Sequence, residues 1–155
     1  MAATAWAFFN NAKKKLGLNT AGIRLDAGIP KISLHSSLAR LNTSASARVL
    51  STLGSVSGEL AAAGGYAAGG RTIPSVVWTG RGDPASAMWD ASDLVFTANG
   101  AVLSDIKFAV IHFSAGAVTS GALLCWSKLS GVPFDVTNGN TLTIQFAGAG
   151  IFTLT

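Results

Sequence analysis

The feature that most constrains the fold is a series of short apolar segments separated by turn signals. The segments with the alternation, or the β-branched and aromatic content, of strands are residues 30–35, 71–79, 94–98, 105–113, 122–129, 141–146 and 151–154. The sequences TGRGDP, ANG, SAGAVTSG, TNGN and AGAG separate most of them. This pattern predicts a mainly β, single-domain fold, an antiparallel β-sandwich or jelly-roll-like barrel behind an N-terminal helix.

Two stretches of this strand-rich region are apolar at consecutive positions. IKFAVIHF and ALLCWSKL offer few polar residues on either side of a strand. Strands covered on both faces have this composition. We therefore predict that these stretches supply the central strands.

The N-terminal segment has a different composition. Alanines favour a helix here, and Trp6, Phe9 and Lys13 fall on one side of it, so we predict a short helix over residues 3–16. Gly17 follows soon after three consecutive lysines in the last turn. Cationic residues followed by glycine are typical of a helix end, so Gly17 is the predicted stop.

The composition favours one folded domain with a weakly charged surface. A chain of 155 residues, of which 49% are hydrophobic, can bury a core. Only 12% of the residues are charged, against a usual share of about 25%. Much of the surface must then be Ser, Thr, Asn, Gly and Ala, which suits packing against neighbours. We predict an N-terminal helix or arm over residues 1–17, one β-rich domain over residues 18–155, and a homo-oligomer.

Several classes of protein are excluded by what the sequence contains. Cys125 is the single cysteine, so neither an internal disulfide nor a Cys-rich zinc site can form, and its apolar neighbours predict a core position. The N-terminal apolar residues precede the lysines, the reverse of a secretory signal. No apolar run reaches the length of about 18 residues that a membrane helix needs. We expect a protein made in a cytoplasm, without a membrane partner.

The glycine-rich sequence GELAAAGGYAAGGRTIP has the composition of a phosphate-binding loop. That motif, however, requires Gly-Lys-Ser/Thr at the start of a helix, whereas here the last two glycines precede RTIP. We therefore interpret the sequence as the entry into the β domain. In this interpretation Glu59 binds a backbone N–H or Arg71, and Tyr66 packs between glycine turns.

No pattern of catalytic or metal-binding residues stands out, so we predict no enzyme activity, cofactor or metal. His35 and His112 each lie in an apolar strand, which is typical of packing residues, and no nucleophile motif accompanies them. Asp90 and Asp93 supply too few oxygens for calcium, and a turn or strand-edge role is expected. The adhesion tripeptide RGD at residues 81–83 lies in ordinary turn sequence.

The tryptophans leave two alternatives open. Trp78, Trp89 and Trp126 lie at strand positions, where they are most simply core residues. A small β-sandwich can also present aromatic side chains to a sugar. Exposure beside polar partners would indicate a carbohydrate-binding module, and burial would argue against it. A small hydrolase with an unrecognised serine or carboxylate site is a further alternative.

The charges are unevenly distributed along the chain. Residues 1–48 hold seven Lys and Arg against one acid, a net +6, and residues 49–155 hold four against six, a net −2. The N-terminal part is therefore a candidate for binding an acidic partner. Lys13, Lys14 and Lys15 are fewer than the usual basic run of a nucleic-acid site and lack an aromatic platform, so we do not expect a nucleic-acid partner.

The order of several motifs resembles a family of small virion structural proteins of tailed bacteriophages. These motifs are NNAKKKLG after the N-terminal aromatics, PKISLHSS, GELAAAGGYAAGGRTI, VVWTG, WDASDLVFTANGAVLSDIKFAVI, LLCWSKL and NGNTLTIQFAGAGIFTLT. The resemblance covers nearly the whole chain and depends on the order and spacing of the motifs. It implies a β-rich virion component that is made in the host bacterial cytoplasm. The most specific expectation is a capsid decoration (cement) protein, which binds and stabilises the assembled head shell.

The resemblance also implies the major capsid protein and other copies of the chain as partners. The predicted partner-binding residues are Trp6, Phe8, Phe9, Lys13, Lys14, Lys15 and Arg24. We expect the aromatic members to pack on the domain or on an adjacent copy, and the basic members to contact an acidic shell surface. A tail, neck or head-fibre component, with or without a carbohydrate-binding role, is the alternative.

Overall fold

The computed structural model describes residues 5–18, 25, 28–41, 52–80, 86–115 and 117–154. Its elements, in chain order, are β1 (Ala7–Phe8), α1 (Asn10–Leu18), β2 (Pro30–His35), α2 (Leu53–Val56), β3 (Arg71–Thr72), β4 (Val77–Gly80), β5 (Ala87–Asp90), β6 (Leu94–Thr97), β7 (Leu103–Ile106), β8 (Phe108–Ala115), β9 (Ala117–Lys128), β10 (Phe134–Val136), β11 (Thr141–Ile144) and β12 (Phe152–Leu154). The strands pair antiparallel, and the mainly β, sandwich-like fold predicted from the sequence is confirmed.

A five-stranded sheet in the order β1-β9-β8-β2-β3 forms the centre of the fold. Ile32 of β2 lies opposite Ile111 of β8, and Ile111 lies opposite Cys125 of β9. Directly opposed residues point to the same face, and all three of these side chains are fully buried. The predicted central strands and the core position of Cys125 are thus confirmed. Burial raises the pKa of the Cys125 thiol.

One face of the central sheet packs against a layer of smaller sheets, whose orders are β12-β5-β4, β11-β6 and β10-β7. Trp89 of β5 is fully buried. Its ring stacks on Phe152 of β12, with 5.4 Å between ring centroids, and lies 6.3 Å from Phe113 of β8. Phe8 of β1 meets Phe152 edge-on at 4.6 Å. These aromatic contacts join the layers, and such a pair contributes about 0.5–1.5 kcal/mol beyond the burial of its area.

The opposite face of the central sheet is crossed by α2. Thr52, just before the helix, pairs with Ala122 of β9. Ser57, just after it, accepts a hydrogen bond from His35 of β2. Since β8 lies between β9 and β2, the helix passes over β8, and Val56 is fully buried there. This face is therefore the one that carries His35.

The helix predicted over residues 3–16 is wrong at both ends. Ala7 and Phe8 form β1, where Phe8 lies opposite Cys125 of β9, and α1 covers Asn10–Leu18, so Gly17 does not end it. Alanine favours a helix by only a fraction of a kcal/mol per residue. Pairing with β9 satisfies the backbone and places Phe8 against β12, which outweighs that preference.

Several strand boundaries also differ from the prediction. The strand predicted over residues 71–79 is divided into β3 and β4, because Pro74 has no N–H to donate and Ser75 has a φ of 51°. The strand predicted over residues 105–113 divides at Lys107, between β7 and β8. β5 and β10 were not predicted. These strands have only four and three residues, which is too short for an alternation of polar and apolar residues to be recognised.

Candidate functional site

The predicted partner-binding aromatics pack on the chain's own domain. Phe9 is fully buried, and its N–H donates to the Leu124 carbonyl at 3.1 Å. Trp6 is half-buried, with its ring centroid 6.0 Å from that of Phe146, and Phe8 contacts β12. In the single chain these residues therefore adopt the first of the two expected arrangements, packing on the domain. Phe9 anchors the N-terminal segment and has no surface to offer a partner.

Three of the four predicted basic residues lie on α1, directly after this anchor. Lys13 and Lys14 are exposed and Lys15 is half-buried. The Lys13 N–H donates to the Phe9 carbonyl at 3.2 Å, so the first turn of the helix is tied to a core residue. Arg24 lies outside the described residues. The predicted set therefore divides into aromatic anchors and a lysine surface held at a fixed place on the domain.

The glycine-rich sequence is organised by one half-buried carboxylate, that of Glu59. Glu59 Oε1 accepts hydrogen bonds from the Tyr66 hydroxyl at 2.7 Å and from the Gly69 N–H at 2.6 Å. The Leu34 N–H of β2 donates to the same hydroxyl at 3.1 Å. Tyr66 is 5% exposed, and its pKa is raised by burial and by the nearby Glu59. The predicted packing of Tyr66 and the bond from Glu59 to a backbone N–H are confirmed. Arg71 instead donates to the Val95 carbonyl.

His35 and Ser33 form a buried pair on β2. His35 Nδ1 lies 2.9 Å from the Ser57 carbonyl, and Nε2 lies 2.9 Å from Ser33 Oγ. Since a carbonyl only accepts, Nδ1 carries the proton, and Nε2 of the neutral ring accepts from the hydroxyl. Burial lowers the pKa of His35, against smaller opposing effects of Ser57 and Glu59. A serine beside a histidine base is a catalytic arrangement, but both side chains are 0% exposed, so a substrate cannot reach them in this conformation.

His112 is the second buried histidine of the central sheet. It lies on β8 opposite Lys31, is 2% exposed, and neither ring nitrogen is bonded to any described residue. Burial lowers its pKa to about 4, and the neighbouring His35 and Lys31 act in the same direction, against a smaller opposing effect of the Gly69 backbone. Both strand histidines are therefore packing residues, as the sequence predicts.

Acidification should destabilise the fold through His112. The unfolded chain takes up a proton near pH 6.5 and the folded chain only near pH 4, so between these values the unfolded state binds more protons. The free energy of unfolding therefore falls as the pH drops through this window, by about 3 kcal/mol from His112. Urea unfolding at a series of pH values measures the decline.

The substitution His112→Phe isolates this contribution. It retains a buried ring and removes the titrating group, so the difference in unfolding free energy between wild type and variant should change with pH mainly between 6.5 and 4. Carboxylates titrate in both proteins and cancel in the difference, whereas His35, which is electrostatically coupled to His112, contributes to it. Two parallel stability curves would show that His112 is not held neutral in the fold.

The tryptophans divide between core and surface. Trp89 is fully buried, and Trp126 is half-buried with no partner for its indole N–H among the described residues. Trp78 on β4 is 36% exposed. It lies opposite Trp89 and so shares its face, and its ring centroid is 6.1 Å from that of Phe152. Trp78 therefore belongs to the edge of the aromatic cluster around Trp89 and Phe152, with part of its side chain exposed.

The two candidate carboxylates differ, because Asp90 Oδ1 is buried without a hydrogen-bond partner among the described residues, whereas Asp93 is bonded. Asp93 Oδ1 accepts a hydrogen bond from the Phe146 N–H at 3.0 Å, which is the expected strand-edge role.

Within the described ranges no group of three His, Cys, Asp or Glu side chains is placed to hold a metal ion. In the same part of the chain no helix is long and apolar enough to cross a membrane. The RGD tripeptide at residues 81–83 lies outside the described residues.

A groove along the outer side of β11 was not predicted. A cleft of about 360 Å³ lies between residues 142–145 and the end of β9, with Trp6, Leu129 and Phe134 among its apolar walls. A second cleft lies between β10 and β11 and shares Phe134 and Leu142 with the first, so the two adjoin along β11. The sequence feature that could have indicated this groove is TLTIQF, an alternating strand sequence without a charged residue.

The structure defines the chain as a sandwich-like, mainly β domain with a lysine surface on α1 and a groove along β11. No family model matches the chain, and no curated protein or solved structure matches it either.

Proposed function

We propose that this protein is a structural component of a tailed-bacteriophage virion, most simply a capsid decoration (cement) protein that binds and stabilises the assembled head shell. Its proposed partners are the major capsid protein and other copies of the chain. The order of motifs described above supports this role through its resemblance to phage structural proteins. The geometric observation that carries it is the lysine surface on α1, which is anchored to the core through Phe9.

The lysine surface suits docking to an acidic shell. A decoration protein has to bind a preassembled lattice in one orientation, which favours charges fixed on the domain over charges on a free arm. Lys13 and Lys14 meet this condition, because the helix that carries them starts directly after a buried residue. Complementary charges across such an interface fix its register and speed association.

The rest of the surface suits contact with further copies. Charged residues are few, and large apolar side chains are exposed, including Leu38 at 79% and Val132 at 71%. Interfaces deplete charged residues in their centre and bury apolar ones. A weakly charged surface with exposed leucine and valine therefore supports the homo-oligomer in this proposal.

Reversing one charge on the lysine surface should weaken docking. In Lys14→Glu, a carboxylate would face the acidic shell, and we expect binding to heads that lack the protein to fall by about tenfold or more. The wild-type affinity should also decrease as the salt concentration rises, because salt screens exposed charges. Co-sedimentation of purified protein with such heads measures both effects. Deletion of the arm is less informative, since it also removes Phe9 from the core.

Arg40→Glu is the matched control, because Arg40 is also exposed and the change in charge is the same. This variant should bind heads as the wild type does. Equal binding by Lys14→Glu and wild type would contradict docking through α1. No binding of the wild-type protein at any salt concentration would contradict the decoration role itself.

A tail, neck or head-fibre component is the second candidate. One observation favours a surface role of this kind with a sugar ligand, the 36% exposure of Trp78. The rest of this side chain packs on the domain, with the Phe152 ring 6.1 Å away, so only part of the indole is open to a ligand. The head-shell role therefore remains the stronger proposal.

A further inference from the structure

β11 is paired on one side only. Its partner is β6, and together they form a two-stranded sheet. In the part of the chain that the structure describes, no backbone hydrogen bond reaches the other side of β11. That side faces the groove described above, in which Leu142, Thr143, Ile144 and Gln145 line the first cleft.

The register shows which backbone groups face this groove. The Ala98 N–H donates to the Asn140 carbonyl at 2.9 Å. Bonded and non-bonded pairs alternate along an antiparallel ladder, so Leu142 and Ile144 bond to β6, whereas Thr143 directs its N–H and C=O into the groove. The residue opposite Thr143 is Val95. The Val95 carbonyl accepts a hydrogen bond from Arg71 on the side of β6 that faces away from β11. The same alternation of bonded and non-bonded pairs requires this direction.

The groove has the chemistry of a site for one more strand. From Asn140 to Gln145 it extends about 17 Å at the usual rise of a strand. Its first cleft has apolar walls and no charged lining residue, and the second adds only Asp135. Strand edges are usually protected by charge, proline or a bulge. TLTIQ has neither charge nor proline, and Thr143 and Gln145 are exposed.

We propose that this groove binds an extended, uncharged segment of a partner protein, which adds to β11 as a further strand. Unpaired backbone groups require another backbone, and the apolar walls can accept alternate side chains of the segment. A second copy of the chain could add only through an unpaired strand edge of its own, and the dimerisation test below distinguishes this occupant. The inference goes beyond the proposed function and does not depend on a virion role.

A strand peptide with an uncharged central segment tests the proposal directly. The probe is an acetylated and amidated peptide of alternating threonine and valine with one lysine at each end for solubility. At millimolar concentration it should shift the NMR signals of Leu142–Gln145 and Phe134–Val136. It should also slow hydrogen exchange of the Thr143 amide, because that N–H becomes bonded. The same peptide methylated on alternate backbone nitrogens keeps its side chains but loses donors, and it should bind about tenfold more weakly.

Two substitutions of one residue separate strand addition from apolar contact. Thr143→Pro removes the groove-facing N–H and leaves the bonds to β6 intact, so it should weaken peptide binding about tenfold. Thr143→Val keeps the N–H and should bind as wild type. No slowing of Thr143 exchange, or equal binding of the methylated peptide, would overturn the proposal even if Thr143→Pro fails to fold. Concentration-dependent dimerisation of the wild type that blocks the peptide would assign the groove to a second copy and would also overturn it.

Discussion

Replacing Gly70 with alanine should abolish stable folding or lower the free energy of unfolding by about 4 kcal/mol or more. Gly70 has a φ of +72°, and an added Cβ would lie 2.0 Å from the Ile32 carbonyl oxygen. That oxygen belongs to β2, the strand with which β3 pairs directly after Gly70. Neither backbone can move without breaking this pairing. Urea unfolding followed by circular dichroism measures the loss.

Gly139→Ala is the matched control for Gly70→Ala. Gly139 also has a positive φ, +88°, but an added Cβ there would meet no atom within 4 Å. The control should therefore lose only the free energy needed to hold alanine in the left-handed backbone conformation, about 1–2 kcal/mol. Equal losses in the two variants would contradict the close approach of the glycine-rich sequence to β2.

Replacing Tyr66 with alanine should lower the free energy of unfolding by about 3–5 kcal/mol. The ring is 5% exposed and packs 6.0 Å from the ring of Phe96. Its hydroxyl also joins Glu59 to the Leu34 N–H. The substitution leaves a cavity and removes one hydrogen-bond partner from Glu59 and one from the Leu34 N–H. Thermal and urea unfolding of the purified variant measure this effect.

Tyr66→Phe separates the hydroxyl from the ring. It keeps the packing and removes both hydrogen bonds, so the expected loss is about 1–3 kcal/mol, well below that of Tyr66→Ala. Wild-type stability of Tyr66→Phe would show that the hydroxyl does not connect Glu59 to β2. A loss as large as that of Tyr66→Ala would show that packing of the ring contributes little.

Local sequence signals were sufficient where one strand or one loop carries its own pattern. Pro30–His35 is the strand predicted from the alternation of Ile32 and Leu34. The roles of Glu59 and Tyr66 followed from a single acid and a single tyrosine among glycines, because each needs a nearby partner when buried. The apolar runs identified the central strands for the same reason, since their composition reports coverage on both faces.

The remaining features depend on contacts between distant parts of the chain. Ala7 and Phe8 have helix-favouring neighbours, and only the edge of β9 makes them a strand. The alternation of TLTIQF predicts β11 but cannot tell which of its sides is left unpaired, because that depends on where β9 and β10 lie. The Ser33–His35 spacing places both side chains on one face, but the Ser57 carbonyl that orients the ring comes from the far end of α2.

Copy number in purified virions tests the central proposal most directly. The phage that encodes this chain would be purified, and its proteins would be quantified by mass spectrometry against labelled peptide standards, with the major capsid protein as the internal reference. A decoration protein should be present in hundreds of copies per particle, in a fixed ratio to the major capsid protein. A handful to a few dozen copies would indicate the tail, neck or fibre instead, and absence from the particle would contradict a virion role.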